Sequence, residues 1–365
     1  MSIRGIQHNN NEAGAHPMEL TFGQSLKRAS LAFFAAASLT LSGCSSLVYK
    51  VAGDTTATFG QDVMMPYLMT TDDTGIACVA GESMTPLMLS FSKYTTSIDQ
   101  LAVLTHMVGG TCADSLANEA NLEYLRLASD QRITAAKDAR IRSKRYHALA
   151  AKRQYKAYKA LVRSFGEIGE ECPSFSSEQE QFVWIIGTAT ALQAVLSDTL
   201  GGMEAGVPKT IAPKAMRAAA CLDTPEGNRL WWGLPKAIKA VLWTVLPGAG
   251  EDGVDPWKEM QKAARIGEDE GVRMSQALMA MAANNASKAE LVKDTIRAHA
   301  HSLKNIASNR EFNLVDIMAT DMITALSDSL WTEAVGHRTP HGGLGTFWDD
   351  VDEDDVELDI DIDDL

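Results

Sequence analysis

Apolar residues along most of this chain recur at helical spacing. In "EQFVWIIGTATALQAVLSDTL" (180–200), positions 182, 185, 186, 189, 192, 196 and 200 follow the i, i+3, i+4 rule, and the run ends at Gly201-Gly202. Ser177 with Glu180 forms a capping-box pair ahead of it, Ser287 with Glu290 a second before Leu291, Ile296, Leu303 and Ile306, and Asp255-Pro256 sets proline at a first helical position. No period-two pattern of strands is found. The spacing predicts helices over 61–70, 74–91, 97–128, 130–165, 178–200, 208–221, 234–245, 256–267, 271–284, 288–307 and 313–334.

Short connections between these segments favour antiparallel packing of neighbours. "HALAAKRQYKAYKALVRSFGEIGEECP" (147–173) carries alanines, tyrosines and a late proline in the manner of a tetratricopeptide (TPR) repeat, without its full set of positions, and "VLSDTL" (195–200) is echoed by "ALSDSL" (325–330). The expected fold is all-α, an array of antiparallel helix pairs with degenerate TPR-like repeats.

The first 43 residues read differently. Lys27 and Arg28 precede an apolar run, 29–41, and Leu41-Ser42-Gly43 puts small residues before Cys44, the pattern of a bacterial lipoprotein signal. Thioether attachment of diacylglycerol to Cys44, with a further acyl chain on the new amine, gives a stable membrane anchor where one chain would not. Met18 is an alternative start, because 1–17 is polar. Ser45, rather than aspartate, favours sorting to the outer membrane. The expected organisation is a signal peptide 1–43, a lipidated N-terminal linker 44–58, an α-helical TPR-like domain 59–348 and an acidic disordered tail 349–365.

The tail changes the meaning of the net charge. The formal charge is −14, with 33 bases and 47 acids, but 11 of the acids lie in "DDVDEDDVELDIDIDDL". The remainder is therefore nearly neutral. Such a block repels itself and favours solvation, although docking on a basic partner is an alternative. The spacing of a calcium-binding EF-hand loop is missing.

Export also permits disulfides. Four cysteines allow three connectivities. Cys78 with Cys112 and Cys172 with Cys221 are the preferred pairs, each joining neighbouring helices, with free buried thiols as the alternative. No cysteine spacing suggests zinc.

Two further stretches combine unusual residues. "LWWGLPKAIKAVLWTVLPG" (230–248) is too short and too interrupted to span a bilayer. It either packs one apolar face or presents Trp231, Trp232 and Trp243 to a ligand path, a groove or pore, or to the bilayer next to the anchor. Lys236 and Lys239, near the start of its helix, oppose the helix dipole unless a negative group faces them. The stretch 126–163 holds 12 Lys/Arg and two Asp with Tyr146, Tyr155 and Tyr158 interleaved. In an exported protein this points to a solvated face with internal salt bridges, or to an acidic partner or lipid headgroup surface met by Arg140, Lys144, Arg145 and Lys152, rather than to nucleic acid.

Catalytic motifs are missing: there is no GxSxG, HExxH or phosphate-binding loop. His337, His341 and Asp349 could in principle hold a metal, but a histidine pair of this kind more often serves structure. No catalytic residue, metal or cofactor is expected.

"MMPYLMTTDD", "CVAGESMTPLMLSF", "DARIRSKRYHALAAKRQYKAY", "RAAACLD", "RLWWGLPKAIKAVLWTVLPG" and "LSDSLWTEAVGHRTPHGGLGTF", taken in order, resemble the T component of tripartite ATP-independent periplasmic (TRAP) transporters, the TatT-like lipoproteins. The resemblance covers roughly 46–350 and implies a lipid-anchored, all-helical periplasmic protein. It further implies a homotrimer around a pore that engages the transporter's solute-binding protein and assists uptake of an organic-acid or apolar solute. It offers no catalytic residue. The N-terminal extension and acidic tail depart from the family. An envelope-assembly scaffold for another client is the alternative, and an unrecognised metal enzyme a further one.

Overall fold

The structure, a computed structural model, describes residues 45–95, 98–246 and 248–350, and among them it contains helices and no strand. The chain divides into two units, Met1–Val51 and Ala52–Leu365. In the first, the described residues 45–51 are helical. The elements begin with α1 (Ser45–Phe59), a widened π-helical stretch (Gly60–Met64), α2 (Met65–Met69) and α3 (Thr74–Leu89). The long helices α4 (Asp99–Ser129), α5 (Ile133–Phe165) and α6 (Glu178–Leu200) follow. Shorter ones complete the chain: α7 (Ile211–Ala220), α8 (Pro225–Leu230), α9 (Leu234–Val245), α10 (Pro256–Asp269), α11 (Met274–Asn285), α12 (Ala289–Asn305) and α13 (Asn313–Val335).

Local chemistry fixes several helix starts. Ser177 Oγ accepts from Glu180 N–H at 3.3 Å, while the Glu180 carboxylate accepts from Ser176 N–H at 2.7 Å. Asp73, Thr224 and Asp255 likewise accept from Ile76, Gly227 and Trp257 N–H at 3.0, 3.0 and 2.9 Å, and Pro225 and Pro256 stand at first helical positions. The expected cap at Ser287 does not form. Ser287 has φ +55°, a turn conformation, and α12 begins after Lys288 without a side-chain cap.

The segment expected as a linker, 44–58, is also helical from Ser45. Buried Gly53, Ala57, Gly60, Met65 and Leu68 continue one stripe at helical spacing. Glycine and alanine carry little hydrophobic weight in a sequence pattern, which hides the early part of the stripe.

Helices α4 and α5 form the spine. Their three-residue connection reverses the chain, and cross-links run in antiparallel register: Arg140 to Asn121 Oδ1 (3.0 Å), Arg153 to Gly109 O (2.6 Å) and Arg163 Nε to Asp99 Oδ1 (2.9 Å). The inner face of α5 is made of small residues, Ala136, Ala139, Ala150, Ala151, Ala157 and Ala160, all buried. Small side chains bring the helix axes close. Gly187 on α6 continues this contact, since a Cβ there would stand 2.9–3.2 Å from Leu161 and Val103 side-chain carbons.

Helix α6 has the length and apolarity of a membrane span, yet 61% of its apolar window is buried inside the protein. From α6 the chain steps through α7, α9, α10, α11 and α12, each packed on the next, and α13 returns to α2 and α4. Asn313 Nδ2 donates to Thr71 O at 3.2 Å across this closure. Disulfides Cys78–Cys112 and Cys172–Cys221, with Cα separations of 5.6 and 5.5 Å, tie α3 to α4 and the 166–177 loop to the end of α7. The second therefore links a loop to a helix end rather than two helices.

Candidate functional site

The C-terminal segment beyond α13 builds a concave site. Gly336, at φ +84°, stops α13 and turns the chain back along it. Ser327 Oγ and Thr339 Oγ1 then meet at 2.8 Å, and the Asp328 carboxylate accepts from Thr339 N–H at 3.2 Å. Arg338 forks onto Glu119 of α4 at 2.9 and 2.5 Å, and Trp331 Nε1 donates to Thr346 O at 3.1 Å. Farther on, Lys293 pairs with Asp349 and Arg297 with Asp350.

The loop so held encloses, with α12 and α13, a cavity of about 380 Å³. Leu303, Pro340 and Leu344 supply apolar wall, and Lys304, His341 and Asp328 bring polar groups to it. Lys304 and His341 are exposed, whereas Asp328 is buried. A small molecule with an apolar body and a polar end matches that lining. Neither Lys304 nor Asp328 stands out in the sequence. They lie on different helices, α12 and α13, which pack together with the loop 336–344 beside them.

The metal candidates are not assembled. Asp349 is committed to Lys293, whose hydrogen bond holds its carboxyl below the ordinary value. His337 places Nδ1 2.7 Å from Arg338 O and its ring 5.4 Å from that of Trp331, while His341 faces the cavity. Among the described residues no three His, Cys, Asp or Glu side chains gather as ligands.

Of the two readings open for the tryptophan pair, packing or a ligand path, the structure shows packing in the core. Trp231 and Trp232 are 2% and 1% exposed and pack with Phe182 and Phe312, ring centroids 4.6–6.3 Å apart. Trp231 Nε1 donates to Gln181 Oε1 at 3.1 Å. The turn that carries them is tight, with Trp232 at φ +51° and Gly233 at φ +73°, and a Cβ on Gly233 would lie 2.3 Å from Ala263 O. This buried cluster leaves no ligand path at the pair. Trp243 is half-buried, with Lys239 Nζ 5.4 Å from its ring centroid.

Lys236 and Lys239 have negative neighbours. Lys239 Nζ donates to Asp223 Oδ2 at 2.7 Å, and Lys236 Nζ lies 3.4 Å from both Asp223 and Glu259. Burial disfavours the Asp223 anion, but Lys239, Asn228 and Lys236 together outweigh it and hold the carboxyl below its usual value. The cations at this helix start thus serve an internal network.

On α5 the partner candidates Arg140, Lys144, Arg145 and Lys152 are all exposed. Arg140 reaches Asn121 and lies over the Tyr124 ring, 5.1 Å from its centroid. The other three make no ion pair among the described residues. Cys44 and the tail beyond Asp350 lie outside the described residues. Comparisons with family models, curated proteins and solved structures return no match to this chain.

Proposed function

We propose that the chain is an outer-membrane-anchored periplasmic lipoprotein of the TatT-like kind. In this reading its helical body is a degenerate TPR-like scaffold, trimeric in the membrane-bound form, that binds the solute-binding protein of a TRAP transporter and assists uptake of an organic-acid or apolar solute. The observation that carries the reading is the pairing of all four body cysteines behind a leader that ends in Leu-Ser-Gly-Cys. Such pairs belong to an oxidising compartment. The cavity against α12 and α13 is the solute-sized concavity of this proposal, in place of the buried tryptophan pair.

A binding role is favoured over catalysis, because Asp349 and His337 are held in structural contacts and His341 faces the cavity without them. Fractionation and affinity capture test the proposal together. Wild-type protein should fractionate with outer membrane after a high-salt wash and bring down a solute-binding protein, whereas Cys44→Ala should leave an uncleaved or soluble product. An alanine variant still held tightly by outer membrane would remove the anchor. A correctly anchored wild type that captures only assembly machinery would assign the scaffold to another client.

A further inference from the structure

The echo between "VLSDTL" (195–200) and "ALSDSL" (325–330) is also structural. Each sequence lies in a 23-residue helix, α6 or α13, and each carries a buried Ser-Asp pair whose aspartate holds the chain that follows the helix. In α6 the pair is fully used. Ser197 Oγ donates to Asp114 Oδ1 at 3.0 Å, and the two Asp198 oxygens accept from Ala205 and Val207 N–H, each at 2.8 Å. In α13 it is not. Ser327 Oγ meets Thr339 Oγ1 at 2.8 Å, but Asp328 accepts only through Oδ1, from Thr339 N–H at 3.2 Å. No protein donor among the described residues reaches Asp328 Oδ2, although the residue is only 8% exposed and lines the cavity between α12, α13 and the loop 336–344. A carboxylate so far removed from water gains from a donor at that oxygen.

The surroundings select the donor. Arg338 is committed to Glu119 by its fork, so it attracts Asp328 through space without donating to it. Glu119 balances that cation, which leaves the Asp328 charge uncompensated. An ammonium group supplies both the hydrogen bond and the charge. Lys304, on the α12 wall, is exposed and makes no ion pair among the described residues. Leu303, Pro340 and Leu344 share the lining with these charges. Cation and anion stand on different helices, so a ligand that meets both carries opposite charges separated by an apolar body.

We infer that the cavity binds an amino carboxylate with an apolar spine, its ammonium on Asp328 Oδ2 and its carboxylate at Lys304. The inference rests on the proposed reading of this concavity as the solute site, and it names the group by which a solute is recognised there. A solute carrying only an acid meets Lys304 and leaves Asp328 without a donor.

Isothermal titration calorimetry of the purified full chain with four six-carbon probes tests it. 6-Aminohexanoate, hexylamine, 6-hydroxyhexanoate and hexanoate are all small enough for about 380 Å³. 6-Aminohexanoate should bind about tenfold or more tightly than hexanoate or 6-hydroxyhexanoate. Hexylamine should lose only a few-fold, because Lys304 is exposed and its ion pair weak. Asp328→Asn keeps an acceptor for Thr339 N–H and should erase the advantage of the amine. Lys304→Gln, at an exposed position, should bring 6-aminohexanoate down to the hexylamine level. Equal binding of hexanoate or 6-hydroxyhexanoate would overturn the inference, as would no binding of any probe or an unchanged preference in Asp328→Asn. If Asp328→Asn does not fold by circular dichroism, the probe series on wild type and Lys304→Gln decides. Capture of a solute-binding protein is scored separately. Capture without amine preference would remove the amine site and leave the transporter reading standing, whereas amine preference without capture would keep the site and remove that partner.

Discussion

The Arg273 guanidinium and the Asp316 carboxylate form an ion pair that is 0% and 1% exposed. Each of its charged groups is hydrogen-bonded beyond the pair. Arg273 Nε donates to Ser302 Oγ at 2.8 Å and Nη2 to the Ser302 and Ile306 carbonyls at the end of α12. Asp316 accepts from Arg273 N–H at 2.8 Å and from Ser308 Oγ at 2.7 Å. One buried pair therefore fastens the start of α11 to the end of α12 and the start of α13, and the last two helices line the cavity.

Replacing one partner strands the other charge in the core. Asp316→Ala should cost about 3–5 kcal/mol, because the guanidinium keeps its desolvation without its counter-charge. Glu119→Ala, at the exposed fork with Arg338, should cost no more than about 1 kcal/mol. Urea unfolding of the two variants checks the contrast. Equal losses would show that burial does not set the worth of these pairs.

The cysteines give a second outcome. Thiol labelling under denaturing, non-reducing conditions should find no free thiol among Cys78, Cys112, Cys172 and Cys221. Removing either bridge should lower stability by roughly 2–4 kcal/mol through the entropy of the unfolded chain. The bridges close similar spans, 34 and 49 residues. Their contributions should therefore be similar, and four labelled thiols would eliminate both.

Helix existence was legible in the sequence because period 3.6 is a local property, and the predicted segments differ from the observed ones chiefly at their ends. Where recognition failed, the signal was faint or not local. The stripe through Gly53, Ala57 and Gly60 uses residues too small to register as hydrophobic. Pro225–Leu230 is a six-residue helix without apolar periodicity. The cavity depends on Lys304, Asp328 and Thr339 meeting where α12 and α13 pack beside a loop whose hydrogen bonds no spacing rule reveals. Tryptophan content likewise says nothing about direction, and burial of Trp231 and Trp232 is decided by Phe182 and Phe312, far away in sequence.

That burial sets the third outcome. Trp232→Ala should lose roughly 3–5 kcal/mol of stability, since it opens a large gap beside Phe312 and Phe182. Chemical melts measure the loss, and binding of captured partners should fall only as the folded fraction falls. Near-normal melting with a selective binding defect would restore the ligand-path reading.

The last outcome concerns acid. His299, on α12, is fully buried with Nδ1 2.9 Å from Gln276 Oε1 and Nε2 3.1 Å from Thr320 Oγ1. Burial and then the Arg273 charge lower its pKa from 6.5 to about 4. His106, on α4, is lowered to about 4 by burial and by Lys156, Arg163, Arg153 and Lys159. Both rings stay neutral in the folded protein through the range where the unfolded chain takes up protons. The unfolded state then binds more protons, so stability is full above pH 6.5 and declines as pH falls toward 4. Each histidine should account for about 3 kcal/mol across that window, at about 1.36 kcal/mol per unit. The depressed Asp223 carboxyl starts from 3.8 and acts mainly below the window, whereas Glu180 and Glu259, lowered from 4.5, add to the decline at its acid end, so a histidine variant is needed to isolate the histidine share. Urea unfolding at intervals between pH 7 and pH 4.5 should show the decline. His299→Gln should be less stable at pH 7 but lose less on acidification, and an unchanged slope in that variant would show that His299 does not carry the effect.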